Sequence, residues 1–311
     1  MPRPPLRRRA GQFLRKTIEK RGNVCYNVRM EGISVKAYAK INFSLDITGC
    51  RGGYHLIDSV VASIDIFDEV TVSPRTDGAF TIAMHGMGCE DIPPEGNNAL
   101  RAAKAFGAAF GCCGADISIR KNIPVGAGLG GSSADVAGVL NALSRMTGRG
   151  GFGQLKAIAD GIGSDCGYML GGGFARLTGR GERVCPISCN STFYLLIALP
   201  GGGVSTAACY ALSDVYPAHR RTSEGVQRAI LRGQPHELGA SLSNGLYPAA
   251  AVILPEIRDA LSSLSALGCC GVNMSGSGSA VYALFADEAS RNSALKNYRG
   301  SFPVVAAQTI L

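Results

Sequence analysis

The chain has 311 residues, 46% of them hydrophobic and 17% charged, with 42 glycines and no tryptophan; that is length for two domains with their own cores, and it excludes a disordered or fibrous chain. Its net charge of +8 points to nucleic acid only until it is located, because residues 1–30 hold nine Lys/Arg against one acid, Glu19, and the remainder balances 22 basic with 22 acidic residues. The folded body therefore has no basic bias, and nucleic-acid binding is not expected of it.

The basic segment 1–30 contains no apolar run of secretory type and no serine before Ser34, so it reads as a disordered extension outside the fold, with Met30 as an alternative start. The eleven cysteines are odd in number and lack CxxC spacing, which excludes a disulfide scaffold and a cysteine metal site. The adjacent pairs Cys112-Cys113 and Cys269-Cys270, and Cys185 with Cys189, read as reduced, buried thiols. The longest charge-free stretch, Val184 to Ser213, is broken by Pro200 and three glycines, so no membrane span is expected and the location implied is cytoplasmic.

In chain order, Ile33 to Ile47 alternates strictly, with Ile33, Val35, Ala37, Ala39, Ile41, Phe43, Leu45 and Ile47 on one face. A period of two predicts a strand, with Lys40, Asn42 and Ser44 together on its polar face. Val60–Val72 and Phe80–Met84 read as further strands, Asn98–Phe110 as a helix, Ala115–Arg120 as a strand and Ser132–Met146 as a helix. Gln154–Gly161 reads as helical and runs into Gly163-Ser164-Asp165; the glycines at 171–173, 179 and 181 then punctuate a short strand. A strand at Phe193–Leu199, helices around Glu224–Leu231 and Pro255–Leu267, a second glycine loop at Ser275–Ser279 and a strand at Ala280–Ala286 complete the pattern. Strands and helices do not alternate strictly, which predicts an α+β fold with two domains, 31–178 and 179–311.

Between the strand at 115–120 and the helix at 132 lies Pro124-Val125-Gly126-Ala127-Gly128-Leu129-Gly130-Gly131-Ser132-Ser133. It satisfies GxGxxG, but Ser132 stands where a P-loop needs lysine, and after Asp135 no acid appears until Asp160, too late for a ribose-binding carboxylate. What remains is small residues running into a helix, where free backbone N–H groups and the positive helix end hold phosphate oxygens. Ser132 and Asp135, three residues apart, have the spacing of a capping box.

This loop resembles the phosphate motif of the galactokinase, homoserine kinase, mevalonate kinase and phosphomevalonate kinase superfamily. Ala39-Lys40-Ile41-Asn42-Phe43-Ser44-Leu45 and Gly53-Tyr54-His55 narrow the resemblance to the 4-diphosphocytidyl-2-C-methyl-D-erythritol kinase family. Asn97 to Ala103, Ile117 to Lys121, Gly163-Ser164-Asp165, Val204-Ser205-Thr206 and Ser275 to Gly278 follow in family order.

The resemblance implies a ribosomal protein S5 domain 2-like N-terminal domain, a ferredoxin-like C-terminal domain, and phosphorylation by ATP of the 2-hydroxyl of a small molecule bearing a cytidine diphosphate. Its alternatives are another alcohol acceptor of the homoserine or mevalonate type, or a weakly catalytic nucleotide-binding homologue. It implies Asp165 as base, Lys40 beside it, and Asn42 on the polyol. Tyr54, His55 and Tyr210 fall on the cytidine, Asn97 and Lys121 near adenine, and the loop from Pro124 through Gly126, Gly128, Leu129, Gly130, Gly131, Ser132 and Ser133 on the phosphates. Mg2+ is expected to arrive on the ATP phosphates, with no dedicated protein metal site, in a monomer or weak homodimer. Read from the residues alone, Asp165 is equally a helix cap, Lys40 a solvated lysine, and Tyr54-His55 a surface pair. Three positions depart from the family pattern: Arg51-Gly52 before Gly53-Tyr54-His55, Asn98 beside the adenine, and Cys166-Gly167-Tyr168-Met169 after Asp165. The last is expected to loosen the turn that aims the carboxylate.

Overall fold

The computed structural model describes residues 32–89, 93, 95–112, 114–218 and 221–311; the basic extension lies outside them. The N-terminal half runs β1 (Ile33–Arg51), β2 (Tyr54–Pro74), β3 (Phe80–Gly86), α1 (Asn98–Phe110), β4 (Ala115–Lys121), α2 (Gly131–Thr147), α3 (Phe152–Asp160), α4 (Cys166–Met169), β5 (Phe174–Gly179) and β6 (Arg183–Pro186). After it come β7 (Tyr194–Ala198), α5 (Thr206–Ser213), α6 (Ser223–Arg232), α7 (Pro235–Ser241), β8 (Ser243–Asn244), α8 (Tyr247–Ile253), α9 (Glu256–Ser265), β9 (Gly271–Met274), β10 (Val281–Phe285), α10 (Glu288–Asn297) and β11 (Val304–Gln308).

The first sheet has the order β3-β4-β2-β1-β8, with β5 also paired to β2 and β6 to β5. The second has the order β11-β7-β10-β9, all antiparallel. Gly179 ends β5, and β6 hydrogen-bonds back across it from Arg183 to Thr178. β8, far along the chain, pairs with β1 at Ser44 and Leu45.

The alternation read in β1 is present, but the strand is buried on both faces from Ala39 to Asp46. Its apolar face packs under α2. Gly138 of α2 lets that helix settle on the sheet, since a Cβ there would stand 2.8 Å from Val70 Cγ2 and 3.1 Å from Ala37 Cβ. From Asn42 to Ser44 the strand is covered by the second half of the chain. Phe43 lies 5.9 Å from Phe193 and 6.2 Å from Tyr282, ring to ring, in a core cluster that also includes Leu195, Ile197 and Leu284. Tyr282 Oη donates to Asn42 O at 2.9 Å, and Asn273 Nδ2 to Phe43 O at 3.1 Å. A bulge assists this docking: Asn42 pairs with Val61 while Ser44 pairs with Val60, so Phe43 is the extra residue.

The two glycine loops interlock. Ala280 N donates to Ala127 O at 3.0 Å, and Ser275 Oγ to Gly128 O at 3.0 Å. Gly128 has φ +76°, and a side chain there would overlap the carbonyl oxygen of Ser275. Gly148 also has positive φ, +66°, but faces open space. Gly128→Ala should therefore lower the unfolding free energy by about 2 kcal/mol or more, beyond the roughly 1 kcal/mol that backbone strain alone costs at Gly148→Ala. Urea titration of both variants measures the excess; equal losses would mean that the loops are not rigidly engaged.

Candidate active site

The interlocked loops, β1 and the turn before α4 enclose a cavity of about 560 Å³. Lys40, Asn42, Asn97, Lys121, every residue from Pro124 to Ser133, Asp165 and Tyr210 line it. Tyr54 and His55 are not among the lining residues and stand at its rim. His55 lies against the Tyr210 ring at 5.1 Å with planes 28° apart, and the exposed Tyr54 ring sits beneath the Arg180 guanidinium at 4.9 Å.

The phosphate loop enters α2 as an open helix end. Gly130 occupies the N-cap with φ +77°, and no side chain caps it. The first N–H groups of α2 therefore have no side-chain acceptor at that end, which suits anion binding. This corrects the capping box expected of Ser132 and Asp135. Ser132 Oγ instead accepts from Asn98 Nδ2 at 3.2 Å, and Asp135 is committed elsewhere. Asn97, one residue before α1, is that helix's true N-cap: Oδ1 accepts from Ala99 N at 2.9 Å and Leu100 N at 3.3 Å.

Lys40 is not a solvated lysine; it is 5% exposed. Its backbone N–H donates to Leu129 O at 2.9 Å, joining the strand to the phosphate loop. Its Nζ donates to Asn42 Oδ1 at 2.6 Å and lies 3.6 Å from Asp165 Oδ2. Asn42 is held on both side-chain atoms: Oδ1 also accepts from Gly276 N at 2.9 Å, and one hydrogen of Nδ2 is donated to Ser59 Oγ at 2.8 Å. Asp165 precedes α4 without capping it, and its side chain is 35% exposed. The cap alternative is thereby removed, leaving a carboxylate beside an ammonium at the cavity wall.

The Cys166-Gly167 turn is not loosened. A Cβ on Gly167 would collide with Asp160, whose Oδ2 accepts from Lys156 Nζ at 2.6 Å. Tyr168, buried, donates to Gly173 O at 2.6 Å and shares a 3.1 Å hydrogen bond with Ser63 Oγ. Burial pushes the Cys166 thiol up to about 11, so this cysteine stays neutral and inert. Of the thiols expected to be buried, Cys112, Cys189, Cys269 and Cys270 are only half-buried and Cys185 is exposed; Cys113 lies outside the described residues.

Lys121 has its ammonium between two carboxylates. It bonds Asp68, and Asp135 Oδ2 at 2.7 Å; all three side chains are at most 5% exposed. Asp68 Oδ1 also accepts from Asn122 N at 2.6 Å and Ile123 N at 2.8 Å. Among the described residues the buried Asp135 Oδ1 has no hydrogen-bond partner, and its residue lines the cavity. Burial, only partly offset by Lys121, pushes the Asp135 carboxyl up to about 7.

Sequence reading missed several lining residues. Arg180 lay within a Gly-Arg-Gly run taken only as punctuation, and Ser164 and Ser277 within glycine turns. Thr206, where the family match at Val204-Ser205-Thr206 was the available signal, meets Ser277 Oγ at 3.0 Å. Leu45, Ile57, Leu177 and Leu246 add an apolar wall with no local motif.

Two family models match in succession, the GHMP kinases N terminal domain over residues 97–171 and the GHMP kinases C terminal over residues 226–304. The class is therefore that of the GHMP kinases. A 4-diphosphocytidyl-2-C-methyl-D-erythritol kinase from Pelotomaculum thermopropionicum is 37% identical over 272 residues, spanning 86% of this chain and 94% of its own. A solved 4-(cytidine 5'-diphospho)-2C-methyl-D-erythritol kinase is 30% identical with a TM-score of 0.73, covering 89% of this chain and 98% of that one. This chain belongs to the 4-diphosphocytidyl-2-C-methyl-D-erythritol kinase family. Homoserine kinase from Cytophaga hutchinsonii, 19% identical with a TM-score of 0.72 over 93% of this chain and 98% of its own, shares the fold. Among the described residues no helix is long and apolar enough to cross a membrane.

The raised Asp135 carboxyl has a consequence for stability. The folded protein holds this proton more tightly than the unfolded chain, where aspartate titrates near 4. The resulting stabilisation is complete below about pH 4 and is lost as pH rises towards about 7. Asp135→Asn abolishes the titration, so the stability of wild type relative to this variant should fall between pH 4 and 7. Urea unfolding of both proteins across that range checks it; a difference that rises with pH would reverse the assignment.

Proposed function

We propose that this chain transfers the γ-phosphate of ATP to the 2-hydroxyl of 4-diphosphocytidyl-2-C-methyl-D-erythritol, in non-mevalonate isoprenoid precursor biosynthesis. The observation that carries the reaction type is the Lys40–Asp165 pair, 3.6 Å apart, opening on the same cavity as the uncapped N-terminus of α2. Phosphoryl transfer asks mainly for positioning, charge neutralisation and an acceptor for the hydroxyl proton. Asp165 takes that proton as the oxygen attacks the γ-phosphorus and the bond to the β–γ bridging oxygen breaks, releasing ADP. Lys40, beside the developing alkoxide, offsets its charge from a buried position where a point charge acts strongly.

The loop from Pro124 to Ser133 takes the phosphates, its glycines admitting close backbone approach. Asn97 and Lys121 form the wall nearest the base of ATP, Lys121 acting through the Asp68 and Asp135 carboxylates it holds. Mg2+ would be held mainly through the ATP phosphate oxygens, whose charge it would neutralise. The Ser133 hydroxyl on this wall is a hard donor of the kind it accepts. Asn42 orients the acceptor polyol, and His55, Tyr210 and Tyr54 take the cytidine end, where stacking contributes roughly 1–3 kcal/mol per base. The protein works in the cytoplasm as a monomer or weak homodimer.

A coupled assay that offers the cytidyl acceptor, homoserine and mevalonate separately tests the acceptor. Turnover is expected with the first alone, and preference for either of the others would move the chain to a different alcohol. Asp165→Asn should lower kcat by about 10²-fold or more while ATP binding, measured by calorimetry, persists. A fully active variant would remove Asp165 as the base.

A further inference from the structure

We propose that Asp214 fixes the tautomer of His55 and thereby makes the acceptor site prefer cytosine to uracil; the inference rests on the reading of His55 as a contact to the cytidine end. His55 Nε2 lies 2.8 Å from Asp214 Oδ1. An ionised carboxylate can only accept, so in the neutral imidazole the hydrogen sits on Nε2 and Nδ1 presents a lone pair. Among the described residues Nδ1 has no hydrogen-bond partner.

The clamp comes from one helix. Tyr210 and Asp214 are four residues apart, on α5 and at its C-terminal cap, and so share a face one turn apart. Tyr210 lies flat against the imidazole at 5.1 Å while Asp214 takes its edge N–H. Ser213 Oγ donates to Tyr210 O at 2.7 Å and ties down the turn between them. The ring is therefore held against its face and oriented at its edge, although the Asp214 side chain itself is 68% exposed.

The two pyrimidines oppose each other at the edge such a ring reads. Cytosine offers a 4-amino donor beside an N3 acceptor, and uracil a 4-carbonyl acceptor beside an N3–H donor. An accepting Nδ1 matches the cytosine 4-amino group and faces the uracil 4-oxygen lone pair to lone pair. Asp214 acts as a positioning residue, since it reads nothing itself.

Asp214→Asn keeps the shape but replaces an obligate acceptor by an amide that can present either its oxygen or its N–H to Nε2, so the ring hydrogen is no longer confined to Nε2. Relative kcat/KM for the cytidine acceptor and its uridine counterpart should then fall by about tenfold or more, through the acceptor KM and with the KM for ATP unchanged. Asp214→Glu, which retains the carboxylate, should restore the preference. Nitrogen-15 NMR of histidine-labelled protein, with the His55 signal assigned by its loss in His55→Gln, should show the hydrogen on Nε2 in wild type and divided between Nε2 and Nδ1 in Asp214→Asn. An active Asp214→Asn enzyme with unchanged preference, or a wild-type hydrogen on Nδ1, overturns this inference alone. A wild-type enzyme that phosphorylates neither nucleotide acceptor overturns the functional reading beneath it.

Discussion

The site depends on one buried cation. An ammonium moved out of water costs several kcal/mol unless its charge and hydrogen bonds are met, and Lys40, 5% exposed, is met by Asn42 at 2.6 Å and Asp165 at 3.6 Å. Asn42 is in turn fixed by Gly276 N, which donates to its Oδ1, and by Ser59 Oγ, which accepts from its Nδ2. That requirement draws the second glycine loop onto β1 and seats it over the first. Glycines 128 and 276 are needed there because two backbones meet with no room for a side chain between them.

A second lysine is handled in the opposite way. Lys121 faces two carboxylates, so its charge is spent inside the protein, whereas Lys40 shares one carboxylate that remains 35% exposed. The cavity thus has one wall where a cation and a carboxylate are available to a reacting hydroxyl. Its other wall carries the backbone N–H groups of the uncapped end of α2. Phosphoryl transfer needs such a division, because the attacking hydroxyl must lose a proton on one side while phosphate charge is held on the other.

Much of this was legible locally. Alternation over Ile33–Ile47 marked β1 and placed Lys40 and Asn42 on one face, and α1 has the bounds its pattern indicated. The glycine loop announced a helix-end anion site because its neighbours excluded the two rival phosphate motifs. Short elements without a full period were not read: β6, β9 and β11 have four or five residues each, and α7 and α8 have seven. Their apolar residues face a core contributed by distant segments, so no local repeat records them.

Residue types and spacing by themselves determined the glycine loop running into a helix and the strand that carries Lys40, while Asp165 was singled out only by the family resemblance. They could not say whether Lys40 was solvated or Asp165 a cap, and they misassigned Asp135 to a local capping box. Those questions turn on partners far away in the chain: Gly276 for Asn42, Asp68 for Lys121, Asp214 for His55. Local spacing records which groups could meet along one element, but the cost of burying an unmet charge is set by whatever covers it. For Lys40 and Asp135 that cover is supplied only by the tertiary fold.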